Sequence, residues 1–343
     1  MAKIKVAING LGRIGRAVLK TAIKREEIEL VAVNDLGDID NLAYLLKYDT
    51  VYGRSGLDVS TQKGEKLFMM VNGQKIAFFQ QKEPSLLPWN ELDVDVVVES
   101  TGFFESFEKA HGHIDAGAKR VVISAPAKEG GDVKGATVLM GINEDELANV
   151  QVSSNASCTT NAGSPLIQIL HETIGVEKAL LNTVHGYTAT QRLVDSPDAK
   201  DWRRGRAGAQ NIVPSTTGAA IAVAKVIKDL DGKFDGIAMR VPVITGSVAD
   251  ITFVAKRDTS IEEVNDILRK AAQEDRWKKV FTVTEEQIVS SDIVGNPHAA
   301  IADLSFTKVV GGNLVKVLSW YDNEMGYTHA LVEHVLKAGS YIN

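Results

Sequence analysis

The feature that most limits the fold is a strand that runs straight into a glycine triplet. Residues 4–8 read as a short apolar strand ending at Asn9, and Gly10-Leu11-Gly12-Arg13-Ile14-Gly15 follows at once. A helix is expected over about 16–24. A second strand, over 29–33, ends at Asn34-Asp35, 20 residues beyond Gly15. With 29 glycines in the chain, three spaced glycines alone say little. The strand before them, the helix after, the second strand and its acid together make a βαβ unit of the dinucleotide-binding kind. The three glycines serve different ends. Gly10 permits the tight turn, Gly12 lets the backbone approach a pyrophosphate, and Gly15 lets helix and strand pack closely. The helix N-terminus then faces the phosphates, and Asp35 can accept hydrogen bonds from the ribose hydroxyls of the adenine half.

The alternating pattern continues with interruptions. Strands over 66–71 and 74–79 flank Asn72-Gly73, a strong two-residue hairpin signal. Residues 94–98 form a buried strand that runs into Glu99-Ser100-Thr101-Gly102, where ligands meet the carboxyl end of such a sheet. Two more strands are expected over 120–124 and 137–140. His111 and His113 lie two apart in a helical stretch over 107–116. That spacing does not put them on one face as metal ligands, so they read as surface or packing residues and no metal is expected.

The second landmark is Ser153-Ser154-Asn155-Ala156-Ser157-Cys158-Thr159-Thr160-Asn161, which holds the one cysteine of the chain. A core cysteine keeps apolar neighbours; this one sits among hydroxyls and amides. A helix is expected after it, and a thiol at a helix N-terminus has its thiolate favoured. Pro165 argues that the regular helix starts nearer Pro165 than Cys158.

Beyond it the β runs lengthen. A strand over 179–184 delivers His185-Gly186-Tyr187-Thr188. A basic loop follows, Trp202-Arg203-Arg204-Gly205-Arg206, and then Pro214-Ser215-Thr216-Thr217-Gly218 leads into an alanine-rich helix over 219–227. Arginines followed by a hydroxyl-rich helix start suit an anionic substrate, although a solvated loop or a subunit contact has the same composition. Long strands over 236–240, 247–256, 299–308 and 314–320 read as a mixed or antiparallel sheet. Ser260-Ile261-Glu262-Glu263 is a capping box that opens a helix to about 273, and a final helix ends near Lys337.

Bulk composition narrows the function. A chain of 343 residues with 44% hydrophobic and 24% charged content is an ordinary globular protein of about two domains. A net charge of −6 gives no reason to expect nucleic acid or an anionic membrane as the main partner. A lone cysteine forbids an internal disulfide and fits a reducing compartment. With no signal-peptide run before the first strand and no stretch apolar enough to span a bilayer, a cytoplasmic location is expected.

Asn9 to Gly15, Ser153 to Asn161, His185 to Thr188, Pro214 to Gly218, Met239-Arg240-Val241-Pro242 and Trp320 to Tyr327 resemble, in order and spacing, the phosphorylating glyceraldehyde-3-phosphate dehydrogenases. The resemblance covers essentially the whole chain. It implies an α/β fold: a Rossmann dinucleotide-binding domain over 1–157, an α+β catalytic domain with a mixed, largely antiparallel sheet over 158–323, and a C-terminal helix over 324–343 that packs back on the first domain. It also implies a homotetramer that oxidises glyceraldehyde 3-phosphate with NAD and inorganic phosphate in glycolysis. Residue by residue, Cys158 matches the nucleophile and His185 the base. Thr188 and Arg240 match the pocket for the substrate's own phosphate. Ser157, Thr159, Thr217, Gly218 and Arg204 match the site of the attacking phosphate. Arg13, Ile14, Asp35, Lys82, Thr101, Ser124 and Asn323 match positions around the dinucleotide, with Tyr327 near the nicotinamide.

The chain departs from the family in three places. Ala162 replaces a second cysteine common four residues after the nucleophile, so that residue is not needed for chemistry. Thr190 stands where many bacterial members have aspartate near the substrate phosphate. Ser196 stands where many NAD-specific members have leucine, which leaves NADP as a weaker alternative cofactor. Two other readings compete: an erythrose-4-phosphate dehydrogenase, in which water replaces phosphate, and a nucleotide- or RNA-binding protein without turnover. The acidic pI of 5.7 and the complete cysteine–histidine–arginine set argue against the last.

Overall fold

Runs of β-branched residues buried on both faces build the first of two units. In the computed structural model, which describes residues 3–128, 131–199 and 201–342, the chain divides into residues up to Ala156 together with those from Leu331 on, and Ser157–Ala330. The first unit contains β1 (Ile4–Asn9), β2 (Ile28–Asn34), a small ribbon of β3 (Tyr48–Asp49) and β4 (Gly53–Arg54), β5 (Val59–Gln62), β6 (Leu67–Val71), β7 (Gln74–Phe79), β8 (Val96–Glu99), β9 (Arg120–Ile123), β10 (Gly135–Thr137) and β11 (Val152–Ser154). Apart from the ribbon they form one sheet in the order β10-β11-β9-β8-β1-β2-β7-β6-β5. Neighbours from β10 to β7 are parallel, and the β7-β6-β5 end is antiparallel. Val96, Val97 and Val98 are wholly buried, as a parallel strand covered on both faces requires. Asn72 and Gly73 turn the β6–β7 hairpin with φ of 49° and 80°, the positive pair that a tight hairpin needs.

Strand order reverses at β1, which lies between β2 and β8. The ligand crevice of such a sheet opens there, outside the carboxyl ends Asn9, Asn34 and Glu99. Helix α1 (Arg13–Ala22) starts earlier than the expected residue 16, with Gly12 at its N-cap, so the glycine triplet reaches into its first turn. After α2 (Ile39–Lys47), the stretch expected to be helical over 107–116 breaks at His111 into α3 (Phe107–Ala110) and α4 (Gly112–Asp115). The strand expected over 137–140 forms earlier, as β10; the N–H of Val138 still bonds Ser154 O at 2.9 Å before the chain leaves the edge.

The second unit holds α5 (Cys158–Thr173), β12 (Val176–Gly186), β13 (Val213–Thr216), α6 (Ala219–Val226), β14 (Phe234–Val241), β15 (Ser247–Ala255), α7 (Ile261–Ala271), β16 (Phe281–Thr284), β17 (Ala300–Val310) and β18 (Leu314–Tyr321). Its sheet runs β13-β14-β12-β15-β18-β17-β16, mixed and mostly antiparallel; β12 with β14 and β16 with β17 are the parallel pairs. Helix α5 packs against α6, α7 and the sheet. Ser260 caps α7 by accepting from the N–H of Glu263, as its capping box dictates. The division between the units falls inside the last helix, α8 (Met325–Gly339). Within the first unit, Glu333 of α8 pairs with Arg25 at 2.6 Å.

The expected start of α5 is corrected. The helix begins at Cys158 and carries Pro165 inside it. Ser157 caps it, its Oγ accepting from the N–H of Thr160 at 3.0 Å. Residues Thr159 to Ile167 are buried continuously. That burial outweighs the hydrogen bond that the proline cannot donate to the carbonyl of Asn161.

Candidate active site and dinucleotide cleft

The reactive residues of the second unit share one row of its sheet. The register pairs Arg240 of β14 with His185 of β12, His185 with Ser247 of β15, and Ser247 with Tyr321 of β18. Directly paired residues project to the same face, and α5 presents Cys158 to that face. His185 Nε2 lies 3.4 Å from Cys158 Sγ. The ring edge of His185 meets the Tyr321 ring at 5.8 Å and 73°. Tyr321 Oη bonds Thr159 Oγ1 at 2.8 Å and Thr183 Oγ1 at 2.7 Å, tying the first turn of α5 to β12. Sequence reading missed this tyrosine; its signal was the alternation of β18, which turns Tyr321 inward beside a half-buried Trp320.

Electrostatics on this row oppose one another. Cys158 is half-buried. Burial pushes its thiol up, while Arg240 and the hydrogen bonds from Thr159 and the helix backbone pull it down. Burial is the larger effect, so the favoured thiolate expected from the helix end alone is not what this arrangement gives. Burial, reinforced by Arg240, pushes His185 down to about 3, so its ring is neutral. Burial also raises the Tyr321 phenol, which stays protonated as a hydrogen-bonding strut.

Of the groups expected to hold anions, Arg240 lies on this row and the others are held by local partners. Arg240 Nη1 contacts His185 Nδ1 at 2.6 Å, and its Nε is buried without a partner among the described residues. Thr188 Oγ1 bonds Thr190 Oγ1 at 2.8 Å, and its N–H donates to Gln191 Oε1 at 3.0 Å. Arg204 Nε donates to Ser215 Oγ at 3.2 Å, and Arg204 acts electrostatically on Arg240. Thr217 Oγ1 accepts from the N–H of Ala219, and Gly218 is the N-cap of α6 with open space where a Cβ would stand. Ser157 and Thr159 are occupied at the start of α5, as capper and as partner of Tyr321. Asn323 Oδ1 accepts from Gly246 N–H at 3.0 Å and Ser247 Oγ at 3.1 Å, and Tyr327 is buried.

The first unit carries a cleft of about 780 Å³ at the strand-order reversal, lined by Gly10, Gly12, Asp35, Lys82 and Thr101 among others. The glycines behave as the sequence pattern requires. A Cβ on Gly15 would stand 1.9 Å from Gly10 O, and one on Gly10 would stand 2.7 Å from Thr101 N, whereas one on Gly12 would meet nothing within 4 Å. Gly12 therefore leaves open space at the N-terminus of α1, where a pyrophosphate would fit. Asp35 is held by Leu11 N–H on Oδ2 at 2.6 Å and Gly37 N–H on Oδ1 at 2.7 Å. Arg13, Ile14 and Ser124 are not in this lining; Arg13 pairs with Asp49 at 2.7 Å.

Beneath the cleft lies a buried polar chain that sequence reading did not assemble. Trp89 Nε1–H donates to His113 Nδ1 at 2.9 Å, leaving Nε2–H to donate to Glu99 Oε2 at 3.0 Å. Asn9 Nδ2 joins the same oxygen at 2.6 Å, and Thr101 N–H donates to Glu99 Oε1 at 2.8 Å. His113 is thus a packing residue with both ring nitrogens engaged, and it steadies the strand ends that form the cleft. Among the described residues no group of three or more acidic, histidine or cysteine side chains could hold a metal, and no helix is long and apolar enough to cross a membrane.

Comparison with known proteins agrees with this geometry. Residues 4–107 match the family profile described as glyceraldehyde 3-phosphate dehydrogenase, NAD binding domain, and residues 157–323 match the profile of its C-terminal domain. The chain is 47% identical over 340 residues to the glyceraldehyde-3-phosphate dehydrogenase of Streptomyces coelicolor, covering 98% of this chain and 99% of that protein. It is 47% identical over 332 residues to that of Geobacillus stearothermophilus, covering 96% of each. It is 45% identical over 336 residues to glyceraldehyde-3-phosphate dehydrogenase 1 of Kluyveromyces lactis, covering 97% of this chain and 99% of that protein. A cysteine at a helix start, a histidine brought to it by sheet register and a glycine cradle of the right openness therefore have one common explanation: the chain belongs to the glyceraldehyde-3-phosphate dehydrogenase family.

Proposed function

We propose that this chain oxidises D-glyceraldehyde 3-phosphate with NAD and inorganic phosphate to 1,3-bisphosphoglycerate, the reaction of glycolysis and gluconeogenesis. The observation that carries the reading is the 3.4 Å contact of His185 Nε2 with the Cys158 sulfur at the start of α5. The Cys158 sulfur adds to the aldehyde carbon, the proton of its thiol passes to the carbonyl oxygen, and a hemithioacetal forms. His185 Nε2 takes the hydroxyl proton as the carbon is oxidised to a thioester on Cys158; help of this kind is typically worth ~100- to 10,000-fold. NAD, when bound, supplies the hydride acceptor, and Gly10, Gly12, Asp35 and Thr101 are the residues that would hold it. Inorganic phosphate then attacks the thioester, and the acyl phosphate leaves with the sulfur restored. Arg240 with Thr188 positions the substrate's own phosphate. Arg204, Thr217 and Gly218, with the start of α5, hold the attacking one, so that phosphate competes with abundant water.

The shared name of the relatives favours triose phosphate over erythrose 4-phosphate. A homotetramer in the cytoplasm completes the proposal. Leu180 and Ile237, exposed on adjacent strands of the second unit in the single chain, give an apolar surface for such assembly. A steady-state assay with the triose phosphate, varying phosphate and comparing NAD with NADP, tests the function. Phosphate-dependent NADH formation is expected, and turnover indifferent to phosphate would overturn it.

A further inference from the structure

His185 Nδ1 faces two neighbours that ask opposite things of it. Gly186 O lies 2.7 Å away and can be bonded only if Nδ1 carries hydrogen. Arg240 Nη1 lies 2.6 Å away and, since a guanidinium only donates, needs a bare Nδ1. The arginine decides, because it is always charged, and the same Nη1 reaches Gly186 O at 3.2 Å in place of the ring. The proton of the neutral ring then sits on Nε2, facing Cys158. A ring in that form has no lone pair on Nε2 and does not take a proton from a hydroxyl formed on the sulfur.

Arg240 is at the same time short of a partner. Its Nε is buried and unbonded among the described residues, and Arg204 nearby adds a repelling charge. An anion would satisfy the first and offset the second. We propose that Arg240 is a switch by which an anionic group on the substrate turns His185 into a base: the anion draws Nη1 from Nδ1, and the ring adopts its other neutral form. One proton leaves Nε2 for solvent and Nδ1 takes one from solvent, donating it to Gly186 O. The ring is uncharged before and after, and Nε2 is bare.

The groups facing the ring leave this assignment to Arg240. Cys158 faces it from α5, Arg240 from β14, Ser247 at the register position of β15, and Tyr321 from β18. Tyr321 is protonated and bonded to two threonines, and Ser247 Oγ is bonded to Asn323 and to Gly186 N–H. The permanent cation touching the ring is Arg240. The inference rests on the proposed function, because it assumes that the aldehyde bears a phosphate and that Nε2 is the base.

The test reads the two ring nitrogens of His185 by NMR in the full-length protein labelled with ¹⁵N-histidine. Without added anion, Nδ1 should read as bare and Nε2 as protonated. Glycerol 3-phosphate, added to saturation as judged by its inhibition of turnover, should exchange the two assignments. The variant Arg240→Leu should show Nδ1–H with no anion present, while unchanged His113 and His334 signals report an intact fold. Nδ1–H in the anion-free wild type, or a bare Nδ1 that persists at saturating glycerol 3-phosphate, would overturn the switch. Phosphate-dependent turnover measured on the same preparation tests the functional reading separately, so either can fail alone.

Discussion

Cys158 Sγ and His185 Nε2 stand 3.4 Å apart although 27 residues separate them. Helix α5 leads away from the cysteine, and β12 returns to end beside it, so the pair is a consequence of helix and strand lengths. The sulfur has no competitor in this chain. Cys158→Ala should abolish turnover and leave NAD binding and the unfolding midpoint unchanged within about 1 kcal/mol. A thiol alkylating agent should label one site per chain and inactivate in step with labelling. Activity that survives full labelling would remove Cys158 from the mechanism.

Tyr321 should matter to both stability and rate. Tyr321→Phe strips a partner from the hydroxyls of Thr159 and Thr183; Thr183 keeps its bond to Val248 O at 3.2 Å, so each lost hydrogen bond costs about 0.5–1.5 kcal/mol. The urea midpoint should fall, and turnover should fall further than stability explains, because the strut between α5 and β12 also sets the sulfur–imidazole distance. A variant with wild-type turnover would reduce Tyr321 to packing.

Much of this arrangement was legible in the sequence, and the reasons differ by residue. Gly10, Gly12 and Gly15 could be read individually because each answers a local steric demand, which the fold then displays. The start of α5 was misplaced because Pro165 speaks for local propensity, whereas Ser157 capping and continuous burial decide the outcome. The row Arg240–His185–Ser247–Tyr321 is set by strand register, which depends on pairing partners far apart in the chain. No local pattern announces it. The same holds for Glu99 and His113, whose meeting requires β8 and α4 to be packed together.

The two anion sites should separate by mutation. Arg204→Leu should raise the Michaelis constant for inorganic phosphate more than that for the triose phosphate. Arg204 bonds Ser215 on β13, beside Thr217 and Gly218, whereas Arg240 sits at the histidine. Equal effects on both constants would place Arg204 with the substrate phosphate; no effect on either would make the basic loop a solvated or subunit-contact feature.

Acid should weaken the first unit through His334. This ring is wholly buried between Ser153 Oγ, 2.9 Å from Nε2, and Asn155 Oδ1, 3.0 Å from Nδ1. Burial pushes it down to about 3 from an ordinary 6.5. Between those values the unfolded chain binds a proton that the folded one refuses, so stability rises with pH across that window and is flat in this respect above it. Each unit of pH costs at most about 1.4 kcal/mol from one such histidine. His334→Gln should flatten the dependence of the urea midpoint between pH 6.5 and pH 4; an unchanged slope would assign the acid loss to other groups.

Cofactor choice should follow Asp35. Its carboxylate is fixed by the N–H groups of Leu11 and Gly37 at the end of β2, so it does not swing away from a ribose. In that place it would accept from free ribose hydroxyls and repel a 2′-phosphate. Leu36 and Gly37 supply no cation to receive that phosphate. Ser196, offered by a neighbouring chain if the proposed tetramer forms, puts a small hydroxyl where leucine would close the pocket. One neutral donor is worth about 1 kcal/mol and does not offset a nearby carboxylate. NAD should therefore be preferred by about tenfold or more, a step of ~1.4 kcal/mol, with measurable NADP turnover remaining. Asp35→Asn keeps an acceptor for the backbone and removes the charge, so it should narrow the gap, and Ser196→Leu should widen it. The measurement is kcat/KM for each cofactor at saturating triose phosphate and phosphate. Equal efficiency with the two cofactors in the unmodified enzyme would show that the carboxylate does not face the ribose.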